Sequence, residues 1–117
     1  MIGKNIAVIG AGSWGKNLVR NFHQLGTLNA VCDGDPGIRT QMSKNYPDLK
    51  VTGDLEAVLD DPGTQAVVIA APAALHRVLA EKALHAGKHV FVEKPLSLNY
   101  ADGETLVRLA AQKKRTL

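Results

Sequence analysis

The stretch Ile6-Ala7-Val8-Ile9-Gly10-Ala11-Gly12-Ser13-Trp14-Gly15 decides the fold. Its four leading apolar residues form an uninterrupted run, the pattern of a strand buried on both faces of a parallel sheet. The run breaks at the spacing Gly10-x-Gly12-x-x-Gly15, and Leu18, Val19, Phe22 and Leu25 then recur at i, i+1, i+4 and i+7. That recurrence is one apolar face of a helix. Strand, glycine turn and helix together open a βαβ unit.

The same alternation runs outward to the end of the chain. Strands are predicted at residues 5–9, 28–32, 50–52, 66–70 and 89–93. Helices are predicted at residues 13–25, from Pro36 to about Tyr46, at 55–59, at 73–86, and after Asn99. Asp35 precedes Pro36 as a cap precedes a proline at the first helical position. Asn99 caps the last helix, which has Asp102 and Glu104 early, lysines late, and Leu106, Leu109 and Ala110 as its stripe.

Strands alternating with helices predict a doubly wound parallel α/β sheet, a Rossmann fold, as a single domain over residues 1–117. The expected strand order is 3-2-1-4-5. Thr116-Leu117 reads as the first residues of a sixth strand that does not continue, so a truncated or excised domain is expected, its sixth strand missing. The strand at 89–93 would then be partly unpaired at an edge, a route to homo-oligomers.

Bulk properties narrow the class. With 45% hydrophobic and 21% charged residues, the 117-residue chain reads as soluble and globular. No apolar run approaches the roughly 18 residues of a membrane span. Met1-Ile2-Gly3-Lys4-Asn5 leads directly into the first strand pattern, without the look of a signal peptide. The single Cys32 excludes an internal disulfide and a multi-cysteine metal site, and fits a reducing cytoplasm. The net charge of +3 is spread among acids except at Lys113-Lys114-Arg115, which reads as a solvated helix end, not a nucleic-acid arm.

Four segments fall at predicted carboxyl ends of strands, where ligands lie in a doubly wound sheet. In the glycine loop, the first glycine permits the turn, the second lets backbone approach a pyrophosphate, and the third packs helix on strand. Free N–H groups and the helix dipole at Gly10, Gly12, Ser13 and Gly15 favour phosphate charge. Trp14 reads as a partly exposed flank. Asp33, eighteen residues beyond Gly15, can accept both adenosine ribose hydroxyls and would repel a 2′-phosphate, which favours NAD over NADP. Arg39 is placed to answer such a phosphate, and Asp33 could instead cap its own turn. Ala70-Ala71-Pro72 leaves room for a flat ring or is a plain buried turn.

His76 stands in the first turn of its helix, and a surface histidine is the better reading of it from its neighbours. His23, His85 and His89 read as surface or partly packed, and no cluster suggests a metal. In Glu93-Lys94-Pro95, proline holds Lys94 extended at its strand's end. Partial burial and a cationic nicotinamide nearby would lower the pKa of such a lysine, fitting it to remove a hydroxyl proton during hydride transfer. Alternatively, Lys94 simply pairs with Glu93.

Ile6-Ala7-Val8-Ile9-Gly10-Ala11-Gly12, Val31-Cys32-Asp33-x-Asp35-Pro36, Ala70-x-Pro72 with His76, and Ala86-Gly87-Lys88-His89-Val90-Phe91-Val92-Glu93-Lys94-Pro95-Leu96 resemble the N-terminal half of the Gfo/Idh/MocA oxidoreductases. Trp14-Gly15-Lys16-Asn17 resembles their nucleotide-sugar 3-dehydrogenase branch. The resemblance implies an NAD(P)-binding Rossmann domain and a second, substrate domain that binds sugar and is missing from these residues. It implies that Gly10, Gly12, Ser13, Trp14 and Gly15 cradle pyrophosphate and that Asp33 holds ribose. Ala70, Pro72, His76 and Glu93 would line the nicotinamide half, Lys94 would be catalytic, and the Lys94–Pro95 bond would be cis. Binding without turnover is then expected of these residues alone. A non-catalytic NAD-binding or sensing module and an S-adenosylmethionine methyltransferase are the rival readings.

Overall fold

Five parallel strands form the sheet, β1 (Ile6–Ile9), β2 (Leu28–Cys32), β3 (Lys50–Thr52), β4 (Ala66–Ile69) and β5 (His89–Val92), in the order β3-β2-β1-β4-β5. The computed structural model describes residues 3–117. Met1 and Ile2, the start of the segment read as leading into β1, lie outside the described residues. The helices are α1 (Gly15–Gln24), α2 (Pro36–Asn45), α3 (Leu55–Asp60), α4 (His76–His85) and α5 (Tyr100–Lys113), and a 3-10 turn (Ala73–Leu75) precedes α4. The predicted strand order and all five strands are present.

Side chains alternate across each strand, so the sheet has two cores. Ala7 and Ile9 of β1 join Val67 and Ile69 of β4 against Ala80, Ala83 and Leu84 of α4 and Leu106, Leu109 and Ala110 of α5. Val8, Val31 and Val68 face the other way, onto Val19 of α1 and Met42 of α2. Each fully buried Val, Leu or Ile contributes about 1.5–3 kcal/mol. Leu28 shares the second core with Val31 because the β1–β2 register slips between Ile6 and Ala7, which skips Asn29. The freed Asn29 side chain donates to Asp61 and Thr64.

Three local expectations change. The first helix begins at Gly15, two residues later than predicted, because Gly12–Trp14 stay in a turn, where Asn17 N–H bonds to the Trp14 carbonyl only three residues back. Leu25 is 68% exposed and no part of the α1 face. It occupies the C-cap position, where the chain leaves the helix for Gly26. The predicted helix at 73–86 divides into the 3-10 turn and α4, Pro72 holding an extended backbone just before it.

At the carboxyl terminus, α5 ends at Lys114, which takes a left-handed φ of 54°. Arg115 Nε then donates to the Gly87 carbonyl at 2.6 Å. Thr116 accepts from Val90 N–H and donates its own N–H to His89 Nδ1. The tail thus begins to pair with β5 without becoming a strand, and Phe91 on that edge is half exposed.

Candidate functional site

Along the carboxyl ends of β1, β2 and β4 runs a cleft of about 620 Å³. Gly10, Gly12, Ser13 and Trp14 form one wall, Asp33 and Gly34 another, and Ala70, Ala71 and Pro72 a third. A second cleft of about 440 Å³ shares Trp14, Ala70 and Ala71 with the first and adds His76, Glu93 and Lys94. The four segments singled out in the sequence therefore meet on one rim. Gly15 lines neither cleft and packs beneath them.

Each glycine of the loop has its own constraint. Gly10 has φ +94°, and a Cβ there would lie 2.6 Å from Ala71 N. A Cβ on Gly15 would collide with the Gly10 carbonyl, so the third glycine brings helix and strand together. A Cβ on Gly12 would meet nothing within 4 Å and would point into open space. The second glycine is therefore not required by packing; it keeps an approach clear.

The start of α1 leaves N–H groups open to an anion; like α4, it lacks a side-chain cap, and unlike α4 it borders the glycine loop. Side chains of Asp35, Asp54 and Asn99 cap α2, α3 and α5, whereas α1 has no side-chain cap and no acid in its first turn. Among the described residues, the N–H groups of Gly12, Ser13 and Trp14 make no hydrogen bond. Such N–H groups and the helix dipole favour negative charge. The residues thus fit a pyrophosphate.

Asp33 ties the loop to β2. Its Oδ2 accepts from Ala11 N–H and its Oδ1 from Asp35 N–H, both at 2.9 Å. A carboxylate offers about four lone-pair sites, so two remain for hydroxyl donors. Asp33 thus closes its own turn, one of its two readings, and also lines the larger cleft. Asp35 does the helix capping, through Gly37 N–H. Arg39 Nη1 donates to the Asp33 carbonyl at 2.9 Å and lies against Gly53. Beside them, burial and the charges of Asp33 and Asp54 push the Cys32 thiol up, against a smaller opposing pull from Arg39.

At the other end, the Lys94–Pro95 bond is cis, as the resemblance implied. Three expectations need correction. Lys94 is exposed, not partly buried, because no segment among the described residues lies over it. It also has no ion pair with Glu93 among the described residues. His76 is 2% exposed, not a surface residue. Its ring sits between the carbonyl oxygens of Ala71 and Pro95, each 2.7 Å away. His23 and His85 are exposed and His89 is half-buried, as expected.

The sequence reading missed the apolar and glycine lining of the larger cleft at Ile38, Gly53, Leu55, Leu75 and Leu79. Gly53 follows the carboxyl end of β3, so the strand-end rule that found Asp33 would have found it too. Among the described residues, no three His, Cys, Asp or Glu side chains are grouped to hold a metal ion. No helix there is long and apolar enough to cross a membrane.

The sequence model of the Gfo/Idh/MocA oxidoreductase family, described as an NAD-binding Rossmann fold, matches residues 4–117. The chain belongs to this family. Among its Gfo/Idh/MocA relatives, the NAD(+) scyllo-inositol 2-dehydrogenase of Bacillus subtilis is 38% identical over 104 residues, 84% of this chain and 30% of that protein. The NADP(+) scyllo-inositol 2-dehydrogenase IolW of the same organism is 36% identical over 73 residues, 62% of this chain and 20% of that protein. The UDP-N-acetylglucosamine 3-dehydrogenase GnnA of Acidithiobacillus ferrooxidans superposes with a TM-score of 0.91 at 26% identity, covering 100% of this chain and 38% of that one. The chain thus matches between 20% and 38% of the length of these relatives. They use both NAD and NADP.

Proposed function

We propose that this chain is the dinucleotide-binding half of an NAD(P)-dependent oxidoreductase acting on a hydroxyl of a sugar or nucleotide sugar. One observation carries the reading. An uncapped helix start with a clear approach at Gly12, the Asp33 carboxylate and the Lys94 amine share one rim, in two adjoining clefts.

In this reading the N–H groups of the Gly10–Gly15 loop hold the pyrophosphate, with Ser13 and Trp14 at its flank. The remaining lone pairs of Asp33 take the ribose hydroxyls, and its charge disfavours a 2′-phosphate, so NAD is preferred. Ala70, Ala71 and Pro72 leave space for the nicotinamide end, beside His76, Glu93 and Lys94. When bound, the oxidised nicotinamide supplies the hydride acceptor. Lys94 takes the hydroxyl proton as the carbonyl forms. Because Lys94 is exposed in these residues, the sugar-binding half supplies its cover, and this chain binds cofactor with little turnover of its own.

Calorimetric titration with NADH, NADPH and S-adenosylmethionine tests the reading, with Trp14 fluorescence as a second signal. Binding of NADH, more weakly of NADPH, and of no S-adenosylmethionine is expected. Tighter binding of S-adenosylmethionine than of either dinucleotide would end it.

A further inference from the structure

His76 opens α4 beneath the Lys94 cleft, with its ring closed off from water. Nδ1 lies 2.7 Å from the Pro95 carbonyl oxygen, and Nε2 lies 2.7 Å from the Ala71 carbonyl oxygen. Carbonyl oxygens only accept, and a neutral imidazole carries one N–H and one lone pair. A neutral ring would therefore press a nitrogen lone pair against a carbonyl lone pair on one side. The doubly protonated ring donates to both, through short charge-assisted bonds.

We propose that His76 is a positioning residue that, as an imidazolium, clamps the Lys94–Pro95 segment to the end of β4. The segment has little else to hold it. Glu93 N–H reaches the Ile69 carbonyl at 3.0 Å, and Ser97 Oγ bonds to Asn99. Between these, among the described residues, the His76 contact is the one hydrogen bond made by Lys94, Pro95 or Leu96. Its other end, Ala71, belongs to the wall that both clefts share. The clamp thus sets the spacing between the Lys94 backbone and the wall assigned to the nicotinamide.

The charged groups around the ring are few. Glu93 and Lys94 line the same cleft. Arg77, next to it on α4, is already paired with Glu81 and with Asp102 of α5. The side chains facing it from the α1 end and the 3-10 turn, Trp14 and Ala73, are uncharged.

The clamp's role for Lys94 rests on the cofactor reading above; its chemistry does not, and the test separates the two. In the full chain with nitrogen-15 labels, ring nitrogens and backbone amides are followed by NMR from about pH 5 to 8. Both His76 ring nitrogens are expected to carry protons at the acid end, and the Lys94 and Leu96 amide signals to move with the ring's own midpoint. In His76→Gln, which takes up no proton, the amides lose that midpoint and NADH affinity falls about tenfold, the scale of one lost hydrogen bond. A ring with a single proton throughout, or amides that ignore its titration, overturns the proposal. If His76→Gln does not fold, the wild-type titration decides alone. Should the amides follow the ring while NADH fails to bind, the clamp stands and the cofactor reading falls.

Discussion

Two lysines stand at opposite ends of β5, and they are used in opposite ways. Lys88, at the amino end, is buried, and its ammonium donates to the carbonyl oxygens of Asp61 and Thr64 at 2.9 and 2.6 Å. Lys94, past the carboxyl end, is exposed and makes no hydrogen bond or ion pair among the described residues. The same holds for the rims on which they sit. At the amino rim Asn29, Asp61 and Thr64 satisfy one another. At the carboxyl rim, N–H groups of the glycine loop and lone pairs of Asp33 are left over. The sheet thus closes its polar groups on one rim and leaves them open on the other, the rim proposed to meet the cofactor.

The sharpest break of this contrast is Gly15→Ala. Although it lies under the open rim, its Cβ collides with backbone, so a loss above about 3 kcal/mol is expected, beyond the usual overpacking range. Urea unfolding measures it. Lys88→Met comes next, since it leaves the buried Thr64 carbonyl without a donor at about 1–3 kcal/mol, while the Asp61 carbonyl keeps the Thr64 N–H. Its stability should fall by about 1–3 kcal/mol while any NADH affinity is kept. Lys94→Met is the matched control, with stability within about 0.5 kcal/mol of wild type. Equal losses from the two lysine variants would dissolve the contrast.

Gly12→Val sharpens it from the other side. Nothing packs against that position, so stability should change by less than about 1 kcal/mol while NADH affinity drops tenfold or more. The smallest effect concerns acid. Hydrogen bonding from Gly63 N–H, helped by Asn29, Lys50 and Lys88, outweighs burial and holds the Asp61 carboxyl below its ordinary value. A group lowered in the folded state adds stability above its unfolded pKa and loses it as pH falls through the folded one. Asp61→Asn should therefore be less stable than wild type near neutrality, with the gap closing in acid. Thermal unfolding across pH reads this, and a constant gap would count against it.

Much of the fold was legible because its signals are local. Unbroken apolar runs gave the strands to within a residue or so, and Asp35 and Asn99 cap the helices whose starts they marked. The start of α1 was misplaced because helical periodicity is blind to residues that hold back their N–H groups in a turn. The site was legible where strand ends announce it, as at Asp33 and Lys94. His76 was not, because both its partners are backbone carbonyls, which leave no mark in a sequence. Lys94 exposure was equally hidden, since cover comes from segments that touch it in space.

The tail that leaves α5 has a practical use. Arg115 anchors it to the Gly87 carbonyl, and Thr116 meets β5 at His89 and Val90, the end of the strand away from Lys94. A dye or surface tether attached at Leu117 therefore departs near the amino rim. An immobilised chain would keep its open side facing the solution, ready for ligand screening without the anchor standing in the way.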